Sequence, residues 1–187
     1  MWWNHLPTSV VFCDVETTGL GNDDRIVSFG GIGMISRDLA KGRRDLEYLY
    51  LVFDPGRANR RAAEQIHGFS DSALRLQDLV RSSCCREMRL SGLPALTRPV
   101  YCTMKGYRAL DLGGSAALSA VCRHIKLARS GDLHDAMEDA WLAMQIYLWL
   151  HGGPRQPRLR GSLPRSPSNL RSLGICKASM VRQPKRP

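Results

Sequence analysis

Hydrophobic positions change their spacing midway along this chain. From Ser9 to Val15 they run almost unbroken (Val10, Val11, Phe12, Cys13, Val15), which predicts a buried strand. Beyond a polar turn, Arg25 to Ile35 is β-branched and glycine-containing and predicts a second strand. Glu47 to Phe53 predicts a third, closed by Asp54-Pro55-Gly56. The composition then turns helical. Helices are expected over Ala58 to His67, with Gly68 as C-cap, and over Asp71 to Arg81, Ser115 to Ile125 and Asp135 to Leu150. Strands first and helices later, around a buried first strand, predict an α/β or α+β layering of sheet and helices.

Charge divides the chain in two. Residues 153–187 carry nine of the 27 Lys and Arg and no acid, so the other 18 basic residues face all 17 acidic ones. The net charge of +10 is therefore a property of the tail. Gly152-Gly153-Pro154 opens that tail, which holds six prolines in all with repeated Arg and Ser; this predicts a domain over 1–152 and a disordered basic tail over 153–187. Such a tail suits contact with nucleic acid phosphates through counterion release. The longest apolar stretch, Ala140 to Leu150, is interrupted by Gln145 and falls short of a membrane span, so no membrane partner is expected. Met1 to His5 shows no cationic region ahead of an apolar one, which argues against a secretory signal. Cysteines 13, 84, 85, 102, 122 and 176 show no CxxC pair, as suits reduced thiols in a cytoplasmic protein without structural zinc.

The candidate chemistry lies at two distant places. Asp14 and Glu16, two apart at the end of the first strand, fall on one face of it. Two carboxylates ending a buried strand lose hydration and raise one another's proton affinity, and a cation such as Mg2+ relieves both penalties. The same pair at a solvent-facing strand end would merely open the turn Thr17-Thr18-Gly19. More than a hundred residues later comes Asp132-Leu133-His134-Asp135-Ala136-Met137-Glu138-Asp139. On an ideal helix His134 and Asp139 are ~140° apart, so they converge only if His134 sits at or before the first turn, with Asp132 available as a cap. The alternatives His134/Glu138 and Asp135/Asp139, each four apart, would stack as ordinary neighbours, and spacing alone leaves the choice open.

A family resemblance makes that choice. Phe12-Cys13-Asp14-Val15-Glu16-Thr17-Thr18-Gly19-Leu20 resembles the first motif of the DEDD 3′–5′ exonucleases, the group that includes the proofreading epsilon subunit of bacterial DNA polymerase III. His134-Asp135-Ala136-Met137-Glu138-Asp139-Ala140 resembles the third motif of the histidine-bearing branch, H-x4-D, and Ile66-His67-Gly68 matches the segment after the family's first helix. The resemblance implies a ribonuclease-H-like fold, a mixed sheet flanked by helices, and hydrolysis of nucleic acid from its 3′ end with two divalent ions, Mg2+ or Mn2+. It implies Asp14, Glu16 and Asp139 as metal ligands, His134 as general base, and Thr17, Thr18, Gly19 and Leu20 around the terminal nucleotide. Two such ions can activate water and stabilise a leaving oxygen. An imidazole is well suited to take the water's proton at neutral pH. The implied partners are a single-stranded 3′ end, DNA ahead of RNA, and a DNA polymerase subunit.

One motif is absent. The family places a further Asp in an H-N-x-x-F-D segment, and nothing between His67 and His134 matches it. Glu87-Met88-Arg89-Leu90-Ser91-Gly92-Leu93-Pro94 resembles the end of the helix after that motif, so one internal strand and most of a helix are missing. The junction Arg81 to Arg86 resembles nothing in the family. Asp78, Glu87 and Asp111 are candidate substitutes for the lost carboxylate, whose absence is expected to weaken the second metal site and impair activity. Cys102 also stands where the family has Asp. A catalytically silent relative that binds nucleic acid or a polymerase is the competing expectation. Trp141, Met144, Tyr147, Leu148 and Trp149 are expected to pack, and His67 and His124 to be structural.

Overall fold

The computed structural model describes residues 2–40, 46–77, 99–156 and 181–182. Three antiparallel strands form the sheet: β1 (Ser9–Thr17), β2 (Ile26–Ile35) and β3 (Glu47–Val52). A two-residue β4 (Val181–Arg182) pairs with the start of β3, giving the order β1-β2-β3-β4. The helices are α1 (Ser36–Ala40), α2 (Arg61–His67), α3 (Asp71–Leu74), α4 (Thr103–Arg108), α5 (Leu118–His124) and α6 (Ala136–Leu150), after a 3-10 turn at Trp2–His5. The chain is thus mixed α/β, as its patterning predicts.

Every described strand pairing is antiparallel, where the resemblance implies a mixed sheet. Among the described residues β1 pairs only with β2, and no strand falls between Val52 and Val181. The internal strand that the resemblance implies and the sequence lacks therefore has no replacement beside β1 among the described residues. Val11, on the face of β1 turned away from α6, is 68% exposed.

The opposite face of the sheet is covered by α6. That helix is apolar nearly all round because it is sandwiched, with β1 and β2 on one side and α4 and α5 on the other. Phe12 of β1 meets Tyr147 edge to face with ring centroids 5.3 Å apart, and Ile32 and Met34 of β2 complete this contact. Trp141, Met144, Tyr147 and Leu148 are buried packing residues, as expected. A smaller cluster of Val27, Val52, Phe69 and Leu74 secures α3 to the sheet.

Several boundaries differ from the sequence reading. The helix expected from Ala58 starts at Arg61, because Arg60 is in extended backbone and the Asn59 N–H is taken up by Asp71 Oδ1 at 2.8 Å. Gly68 does close α2, in the left-handed conformation at φ 76°. The segment from Asp71 is helical only to Leu74, and Asp78 to Arg81 lie outside the described residues. The body also extends beyond Gly152. Gln145, the one polar break in the apolar run, is buried and exchanges two hydrogen bonds with the backbone of Gln156 (3.0 and 3.1 Å), which ties 153–156 back onto α6.

Candidate functional site

A single row of residues across the sheet builds the site. Asp14 pairs with Gly30, and Gly30 pairs with Tyr50, so the three face the same layer from three strands. Gly30 admits the first turn of α6 to the sheet. A β-carbon there would collide with the Ala136 carbonyl and the Met137 nitrogen. The helix start is fixed from both ends of its cap. Asp135 accepts hydrogen bonds from Met137 N and Glu138 N at 3.0 Å, while Tyr50 donates its hydroxyl proton to the other Asp135 oxygen at 2.9 Å. Asp135, not Asp132, is therefore the cap; Asp132 is three residues farther out and exposed.

This docking carries Asp139 over the end of β1. His134 lies just before the helix, its backbone N–H bonded to the Ile66 carbonyl at 2.8 Å, and its Nδ1 is 3.5 Å from Asp139 Oδ2. Glu16, His134 and Asp139 each present a donor atom within 4.8 Å of the others. The alternative stacked pairs are both diverted: Asp135 caps the helix, and Glu138 accepts from Ser130 N and Oγ at 2.6 and 2.7 Å. Asp14 does not join the three-residue group, yet its charge acts on Glu16.

The electrostatics are those of crowded, dry carboxylates. Burial, with Asp139 nearby, pushes the Asp14 carboxyl up to about 7. Burial and the charges of Asp14 and Asp139 push Glu16 up to about 8. Asp139 is also raised, first by burial, against the opposing pull of Arg129. Two carboxylate oxygens and an imidazole nitrogen at this separation fit one divalent cation, which would relieve the desolvated charge.

Arg129 is the member that sequence reasoning missed. Its guanidinium donates from Nη1 to Asp139 Oδ1, and its side chain is only 17% exposed. A lone arginine in a loop gives no signal in a single sequence. Tyr50 is silent for the same reason. Gly30-Gly31 inside a strand was a visible sign of close backbone approach.

The turn after β1 is a rigid frame. Thr18 is fully buried; its hydroxyl donates to Asp24 Oδ1 and accepts from Arg25 N, both at 3.0 Å. Burial opposes the charge on Asp24, but hydrogen bonds from Gly21 N, Thr18 and Arg60 outweigh it and hold the carboxyl below its usual range. Thr17 Oγ1 donates to the Gly19 carbonyl at 2.6 Å. Of the four residues assigned to the terminal nucleotide, Thr18 is thus spent on the scaffold, whereas Leu20 projects entirely into solvent.

The substitute carboxylates are not in the described site. Asp111 is exposed in a turn with φ 49°, and Asp78 and Glu87 lie outside the described residues. Cys102 is the N-cap of α4 and makes no side-chain capping bond. His67 is buried at the end of α2, where Nδ1 accepts from Phe69 N at 3.0 Å, and burial lowers its pKa to about 4. His124 is exposed and packs edge to face against Tyr107 and Trp149. No helix among the described residues is long and apolar enough to cross a membrane. Compared with known proteins, the chain matches no family model and no curated sequence.

Proposed function

We propose that the chain is a metal-dependent 3′–5′ exonuclease of the histidine-bearing DEDD type, on a ribonuclease-H-like fold that lacks one internal strand. The observation that carries this reading is the meeting of Glu16, His134 and Asp139 within 4.8 Å. They come from the two motifs whose resemblance implies that chemistry, and the sequence separates them by more than a hundred residues.

In this reading Glu16 and Asp139, with Asp14 beside them, hold Mg2+ or Mn2+. The bound metal supplies Lewis acidity toward the phosphodiester and its attacking water. His134, 46% exposed at the rim, takes the proton from that water. Asp135 and Tyr50 hold the helix start so that Asp139 and His134 keep their separation. Leu20 and the backbone of the Thr17 turn face the terminal nucleotide. The absent fourth carboxylate leaves a second ion weakly held, which limits the rate.

The test is release of mononucleotides from 3′-labelled single-stranded DNA and RNA. Release with Mn2+ or Mg2+, its loss in EDTA and its loss in Asp139→Asn are expected. A folded chain that hydrolyses neither substrate refutes the enzyme reading.

The contact of Arg129 with Asp139 favours a second reading, a silent relative that binds nucleic acid or a polymerase subunit. Under it the chain retards single-stranded DNA in a salt-dependent way through the nine cations of 153–187, without hydrolysis.

A further inference from the structure

We propose that Arg129 is the resident counter-cation of the acidic cluster, and that a divalent metal binds there only by displacing its guanidinium. The inference rests on the metal-dependent reading of the site and adds a control element to it.

The argument begins with the two oxygens of Asp139. Oδ1 takes the Arg129 guanidinium and Oδ2 faces His134 Nδ1 at 3.5 Å. The Asp139 side chain is 5% exposed, so solvent screens these charges little. A dication held by Asp139 together with Glu16 and His134 would sit directly beside the guanidinium on Oδ1. A guanidinium keeps its charge at any working pH. Arg129 and a dication therefore cannot share the cluster without strong repulsion.

Arg129 is placed there by the loop that carries it. After α5, Lys126 adopts the left-handed conformation (φ 57°), and Leu127 N bonds back to the Cys122 carbonyl at 2.8 Å. Three residues on from Leu127, Ser130 is clamped to Glu138 by both its N–H and its hydroxyl. The adjacent acids Glu138 and Asp139 of α6 thus hold the adjacent residues Ser130 and Arg129. Because Ser130 stays anchored by Glu138, the arginine side chain can leave without the loop unfolding. The positive charge also reaches Asp14 and Glu16, whose carboxyls it pulls downward against their burial.

The test compares the full chain with Arg129→Gln and Arg129→Lys by calorimetric titration with Mn2+ and by thermal melting in EDTA. Arg129→Gln should bind Mn2+ about tenfold more tightly, since no charged hydrogen bond has to be broken. It should melt below the parent in EDTA and recover with Mn2+. Arg129→Lys, which keeps the charge but loses the planar fork, should bind with intermediate affinity and provides the answer if the glutamine variant fails to fold. Mn2+ affinity equal to the parent's in whichever variant folds overturns the proposal and leaves the metal reading intact, as does an Arg129→Gln melting temperature in EDTA equal to the parent's. Absence of Mn2+ binding from parent and variants alike overturns both.

Discussion

Gly30 and Ala136 touch backbone to backbone, with no room between them for a single added carbon. The first turn of α6 therefore rests directly on β2, and the position of Asp139 relative to Glu16 depends on this contact. Gly30→Ala should push the helix off the sheet and cost about 1–3 kcal/mol of stability. Gly131→Ala, with open space around its β-carbon, should cost little. Thermal melting of the two variants checks the contrast. A Gly30→Ala protein as stable as the parent would show that the helix does not rest there.

The raised carboxyls give the metal-free protein an unusual pH response. Asp14 and Glu16 hold protons more tightly folded than unfolded, so their contribution is intact near pH 4 and is lost as pH rises toward 8. His67 acts in the opposite direction: its folded pKa of about 4 makes stability fall as pH drops from 6.5 toward 4. Between pH 6.5 and 8 the loss from the two carboxyls is the larger of these opposing contributions. Across that window the parent in EDTA should lose roughly 1–3 kcal/mol, and Glu16→Gln should lose less. Urea unfolding at the two pH values measures it; a parent with flat stability across the window would contradict the crowded-carboxylate description.

The main strands and the last helix were legible because hydrophobic period is a local property of a sequence; the meeting of Glu16 with His134 and Asp139 was not, since spacing alone left it open and only the resemblance pointed to it. His134 was expected at or before the helix start, and its backbone bond to Ile66 places it there. The cap was misjudged because Asp132 and Asp135 are equally good capping residues; Tyr50, from the third strand, holds Asp135. Arg129 was illegible for the same reason. Its meaning comes from a carboxylate ten residues away across a loop whose course no periodicity encodes. The short α4 was missed because Thr103 to Arg108 is too brief to show a helical stripe and contains Gly106.

Cys102 begins α4 without a capping hydrogen bond, in extended backbone at φ −99° and ψ 112°. A thiol is a weak acceptor, whereas an aspartate there can receive the free N–H groups of the first turn. Cys102→Asp should raise stability by about 1 kcal/mol, and Cys102→Ala should leave the cap as poor as it is. Chemical denaturation separates the two. No gain from aspartate would mean that the helix start is held by other contacts.

His134 and Asp139 face one another but have separable tasks in the proposed reaction. Asp139→Asn removes a charge that balances Arg129 and, in the proposed site, holds metal. It should weaken Mn2+ binding and abolish mononucleotide release together. His134→Ala removes a half-exposed ring whose backbone anchor to Ile66 is unaffected by the substitution. It should leave folding intact and lower the rate about 10²–10⁴-fold through lost proton transfer, while Mn2+ affinity falls far less than in Asp139→Asn. Calorimetry and product release, measured on the same preparations, distinguish the two roles. A His134→Ala protein as fast as the parent would move the base to Glu138 or to water. A loss of Mn2+ affinity in His134→Ala as large as that in Asp139→Asn would instead make His134 a metal ligand, the role its distance to Glu16 and Asp139 also permits.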